Sequence, residues 1–111
     1  MITIYHNPRC TKSRKTLELL EHKGLEFETI LYLNTPPSAS ELKSISEKLG
    51  LSAQEFIRKA EYAKLGIEPA QGEQALFEQM SAHPILIERP IVINGGKARI
   101  GRPPENVLDI L

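Results

Sequence analysis

At 111 residues and 12.5 kDa, the chain is the size of one domain, long enough to bury about two thirds of its unfolded surface without staples. Its 14 basic and 14 acidic residues cancel, which argues against the broad basic field of a nucleic-acid binder. A single cysteine excludes an internal disulfide framework and a cysteine-rich metal site. No signal peptide or membrane span is legible, so the expectation is a cytoplasmic protein with no nucleic acid, membrane or metal among its partners.

Ile2, Ile4 and Tyr5 read as a short buried strand. Residues 6 to 14, His-Asn-Pro-Arg-Cys-Thr-Lys-Ser-Arg, then carry no apolar side chain except Pro8 and Cys10. A helical pattern follows, with Leu17 and Leu20 on one face, Lys23 in the last turn and Gly24 as the stop. A strand that ends in a loop feeding a helix N-terminus is where open α/β sheets receive ligands, and anions above all, because unpaired amides and the helix dipole converge there. Cys10 occupies that end, and Arg9, Arg14 and a protonated His6 would all favour its thiolate, the reactive form. A lone cysteine is more often a small buried hydrophobe; the polar neighbours of this one argue for a nucleophile.

Leu25 to Leu33 alternates and predicts a second strand with one apolar face. Strand, helix, strand at this length implies parallel pairing through a right-handed crossover. Asn34-Thr-Pro-Pro breaks the pattern, and Ser38 with Glu41 signs a capping box ahead of Leu42, Ile45 and Leu49, with Gly50 as the stop. Ser52 with Glu55 repeats the signal before Phe56 and Ile57, and Leu76, Phe77 and Met80 mark a further helix ended by His83-Pro84. Residues 35 to 87 are therefore expected to be a helical insertion within one domain, 1 to 111, whose core is 1 to 34 and 88 to 111. Ile91-Val-Ile-Asn94, Gly95-Gly96 and Lys97-Ala-Arg-Ile100 predict a hairpin. Pro103-Pro104 opens a last helix with Val107, Ile110 and Leu111 on one face. This order predicts an α/β protein of thioredoxin-like fold, a mixed four-stranded sheet with a helical insertion between strands 2 and 3. That fold commonly holds a cis proline at the start of its third strand, which makes Pro90 the expected cis residue.

Taken together, His6-Asn7-Pro8-Arg9-Cys10, Ser13-Arg14, Arg58-Lys59, Arg89-Pro90-Ile91-Val92 and Gly101-Arg102-Pro103 resemble the glutaredoxin-coupled arsenate reductase (ArsC) family over essentially the whole chain. The resemblance implies that Cys10 is the nucleophile, that His6 helps to activate it, and that Arg58, Arg89 and Arg102 bind the oxyanion. It also implies arsenate or a similar oxyanion as substrate, no bound cofactor, glutathione as co-substrate and glutaredoxin as partner. Guanidinium groups suit this task because they bind tetrahedral oxyanions bidentately and keep their charge. The Ser13 hydroxyl and Arg14 are further expected substrate contacts. With no second cysteine, the electrons must come from outside the chain. The alternatives are a glutathione-dependent thiol reductase of the same family, or an Spx-like regulator that binds RNA polymerase. That regulator branch typically has a Cys-x-x-Cys pair, and residue 13 is serine here. A tyrosine-phosphatase-like cradle needs Cys-x5-Arg, which Cys10 and Arg14 do not provide.

Overall fold

A computed structural model describes all 111 residues. They fall into two compact units, one formed by Met1–Thr35 with Arg89–Leu111 and the other by Pro36–Glu88.

The first unit runs β1 (Ile2–Tyr5), α1 (Thr11–His22), β2 (Phe27–Ile30), β3 (Ile91–Asn94), β4 (Lys97–Ile100) and a 3₁₀ helix over Pro104–Ile110. The four strands are ordered β2-β1-β3-β4. β1 is parallel to β2 and antiparallel to β3, and β3 and β4 form the hairpin. Parallel neighbours cannot be joined by a tight turn, which is why α1 separates β1 from β2. This mixed sheet is the expected thioredoxin-like arrangement, with the second unit inserted between β2 and β3. Ile2 and Ile4 share a core with Leu20 of α1, Val92 of β3, and Val107 and Ile110 of the 3₁₀ helix. Each such side chain contributes roughly 1.5–3 kcal/mol relative to leaving it in water.

Register decides what lies at the end of the sheet. The hairpin pairs Asn94 with Lys97 and Ile91 with Ile100 around the turn at Gly95, whose φ is +62°. Just past it the Gly101 amide donates to the Pro90 carbonyl at 2.9 Å and Arg102 Nη1 to the Arg89 carbonyl at 3.4 Å. β1 pairs Tyr5 with Ile91, so the loop that leaves β1 emerges at that same end.

Two expectations are corrected. The second strand stops at Ile30 instead of reaching Leu33, and the apolar face is lost beyond it: Leu31 and Leu33 are about two-fifths exposed while Tyr32 is buried. β2 is an edge strand, and the amides of Asn34 and Thr35 both return to the Leu31 carbonyl, which turns the chain and breaks the alternation. The last helix is 3₁₀. At about three residues per turn, Val107 and Ile110 stack directly above one another on the core side.

In the second unit, α2 (Ala39–Leu49) begins at the expected box: the Glu41 amide donates to Ser38 Oγ at 3.1 Å and the Ser38 amide to Glu41 Oε1 at 2.9 Å. The same device at Ser52 and Glu55 opens only α3 (Ala53–Phe56), because Ile57 turns extended and bridges to Ile87. α4 (Lys59–Leu65) was not legible in the apolar pattern, since it buries no residue. α5 (Glu73–Ala82) buries Leu76, Phe77 and Met80, and Phe77 meets Phe56 of α3 with ring centroids 6.5 Å apart.

Candidate active site

Cys10 is the N-cap of α1, in extended conformation with φ −96° and ψ 122°. The loop before it is folded by its own polar groups. The Cys10 amide donates to the Asn7 carbonyl at 3.0 Å, and the Arg9 amide donates to Asn7 Oδ1 at 3.0 Å. An asparagine that folds the chain over itself in this way is an Asx turn. It was legible only as the Asn7-Pro8 dipeptide, a generic turn signal.

The first turn of α1 holds no acidic residue and contains Lys12 and Arg14. A helix dipole ordinarily attracts acids to that turn, so the positive end is left for an anion from elsewhere. The thiolate is one such anion. Partial burial pushes the Cys10 thiol up, but the backbone amides of Ser13 and Lys12 and the guanidinium groups of Arg89 and Arg102 outweigh it, and the net shift is downward. Arg102 Nη1 lies 3.8 Å from Cys10 Sγ and donates to the Arg89 carbonyl at 3.4 Å. The structure thus brings Cys10, Arg89 and Arg102 together.

His6 and Ser13 are buried and linked, with Nδ1 and Oγ 2.7 Å apart, while the Asn7 amide donates to the same Oγ at 2.9 Å. The expected protonated His6 is corrected: burial first, and Arg14 second, hold its pKa below the ordinary value. On a neutral ring Nδ1 can accept from the Ser13 hydroxyl, which itself accepts from the Asn7 amide. Ser13 is fully buried, and its hydroxyl bonds within the loop. Its backbone amide still supports the Cys10 sulfur. The Arg14 guanidinium donates to the Pro8 carbonyl at 2.8 Å and to Thr11 Oγ1 at 3.2 Å and braces the loop.

Arg58 belongs to the second unit and caps α4. Its side chain donates to the Ile85 carbonyl at 3.1 Å and meets Glu61 at 3.4 Å. The Arg89–Pro90 and Arg102–Pro103 peptides are both cis; the second was not anticipated. Nor was the packing under Arg102. A Cβ on Gly101 would stand 2.5 Å from Thr16 Oγ1 and 2.9 Å from Pro90 Cγ, so only glycine lets the end of β4 lie against α1 and Pro90.

The ArsC family model matches residues 5–110. The chain belongs to the ArsC family. Among its relatives, an arsenate reductase of Haemophilus influenzae is 51% identical over 99% of this chain and 98% of that protein. An arsenate reductase of Escherichia coli is 46% identical, again over 99% of this ArsC chain but 80% of the longer relative. A solved structure described as an arsenate reductase from Vibrio cholerae superposes with a TM-score of 0.89 at 48% identity, covering 99% of this chain and 97% of that one. The thioredoxin-like fold of this ArsC protein follows from these matches and from its own sheet. No helix is long and apolar enough to cross a membrane.

Proposed function

We propose that the protein reduces arsenate to arsenite, with Cys10 as nucleophile and thiols from outside the chain as the reductant. The observation that carries this reading is the guanidinium of Arg102 set 3.8 Å from a sulfur at a helix N-terminus, in an ArsC-family chain about half identical to arsenate reductases. In the first step the thiolate attacks arsenic. An S–As bond forms, an arsenate hydroxyl takes one proton from solvent and leaves as water, and arsenic remains As(V). Arg89 and Arg102, with Arg58 as the resemblance assigns it, neutralise the oxyanion. His6 supports the thiolate through Ser13, whose amide faces the sulfur.

Glutathione supplies the next step. Its thiolate bonds to the Cys10 sulfur, the S–As bond breaks with its electron pair going to arsenic, and As(V) becomes As(III), released as arsenite. The Cys10–glutathione disulfide is then attacked at the glutathione sulfur by a second thiol, that of glutaredoxin, which returns the Cys10 thiolate. A chain with one cysteine cannot form this disulfide internally. The reading places the protein in a reducing, cytoplasmic compartment.

The test is arsenite production by purified protein supplied with arsenate, glutathione and glutaredoxin. Wild type turns over and Cys10→Ser falls to the uncatalysed background. Equal turnover by Cys10→Ser would remove this sulfur from the chemistry. Loss of arsenate reduction in wild type, with retained reduction of glutathione mixed disulfides, would replace arsenate reduction by the thiol-reductase reading.

A further inference from the structure

The reductant has to approach Cys10 from one side. Two grooves in the first unit flank the cysteine loop. One, about 350 Å³, is lined by His6, Asn7, Pro8, Arg9, Leu31, Leu33 and Asn34. Its charge is a single arginine, and its walls include two exposed leucines. The other, about 340 Å³, lies between α1 and the C-terminal 3₁₀ helix, lined by Thr11, Lys12, Lys15, Leu19, Pro103, Pro104 and Glu105. Both volumes are within the range of small-molecule sites.

We infer that the second groove is the glutathione subsite, a deepening that rests on the thiol-dependent reading above. Glutathione carries two carboxylates and one ammonium. This groove carries two ammonium groups, Lys12 and Lys15, and one carboxylate, Glu105, the complementary set. None of these three side chains is engaged in an ion pair within the protein, so all three charges are unspent. Lys12 and Lys15 are three apart on α1, with Leu19 one turn beyond, and therefore stand on one face. The groove also ends where the chemistry is. Thr11 follows Cys10 and Pro103 follows Arg102, and those two neighbours are the pair 3.8 Å apart. A tripeptide lying along α1 with its charged ends on Lys12, Lys15 and Glu105 has its central thiol free to turn toward Cys10. There its sulfur bonds to Cys10 Sγ as the S–As bond breaks, the step written above. The first groove, with one cation and no anion, leaves one carboxylate and the ammonium unmatched.

Two measurements test this. S-methylglutathione, which cannot react, is titrated into the ¹⁵N-labelled full chain. Amide shifts centred on Lys15, Leu19 and Glu105 are expected; shifts centred on Asn7, Leu31 and Asn34, or none at millimolar probe, would overturn the assignment. In the coupled assay, the exposed double variant Lys15→Gln/Glu105→Gln should raise KM for glutathione about fivefold, the loss of two exposed charge pairs, and leave KM for arsenate within about twofold. With 2-mercaptoethanol, which has no charged ends, the variant and wild type should match. An unchanged KM for glutathione refutes the subsite while leaving the reductase reading intact. A wild type that makes no arsenite yet shows the expected amide shifts refutes the arsenate reading while leaving the subsite intact.

Discussion

Gly101→Ala places a methyl group where the structure leaves no room for one. The new Cβ would sit 2.5 Å from Thr16 Oγ1 and 2.9 Å from Pro90 Cγ, and both must retreat to beyond about 3.4 Å for an ordinary contact. Neither retreats freely. Thr16 is fully buried and its hydroxyl donates to the Lys12 carbonyl at 2.8 Å, while Pro90 is buried and its carbonyl holds the Gly101 amide at 2.9 Å. Overpacking of this kind costs roughly 1–3 kcal/mol. Gly96→Ala is the matched control, since Gly96 has negative φ and nothing within 4 Å of its added Cβ; there the smaller unfolded-state entropy stabilises by about 0.4–1 kcal/mol. Both variants share that entropic gain, so the difference between them isolates the packing term. With a urea slope of about 1–3 kcal/mol per M, it amounts to a midpoint gap of about 1 M. Arg102 is the next residue, so Gly101→Ala should also slow alkylation of Cys10 at neutral pH. Equal midpoints for the two alanine variants would refute the steric account of how β4 is held against α1.

Ser13→Ala removes the shared partner of the His6 ring and the Asn7 amide; leaving buried groups unsatisfied should cost about 1–3 kcal/mol in urea unfolding, and a loss below about 0.5 kcal/mol would show that the loop is held by other bonds. For Cys10 the folded pKa is depressed, by the amides of Ser13 and Lys12 and by Arg89 and Arg102 acting against burial. The iodoacetamide rate should therefore reach half its plateau at a lower pH than for free cysteine. Arg102→Ala should move that midpoint upward, and an unmoved midpoint would detach Arg102 from the thiolate. The sign extends to stability: a thiolate favoured by the fold stabilises it above the unfolded cysteine pKa, and that contribution is lost as pH falls through the lower folded value.

The chain's own pattern was enough to locate the strand-loop-helix that carries Cys10, the capping box at Ser38 and Glu41, and the hairpin around Gly95-Gly96. These are local: a cap, a turn and a register each depend on a few neighbouring residues, and the pairing of two positions in a hairpin follows from the length of its turn. What only the tertiary structure decided is where side chains point once distant segments meet. Leu31 and Leu33 look like core and are exposed, because β2 lies at the edge and the chain turns after Ile30. The side chains of Ser13 and Arg14 bond within the cysteine loop, to His6 and to the Pro8 carbonyl. His6 looks like a cation, yet burial, and Arg14 after it, lowers its pKa. Burial and electrostatic environment are properties of the assembled neighbourhood, set here by residues up to 92 positions apart such as Cys10 and Arg102, and no window of sequence contains them.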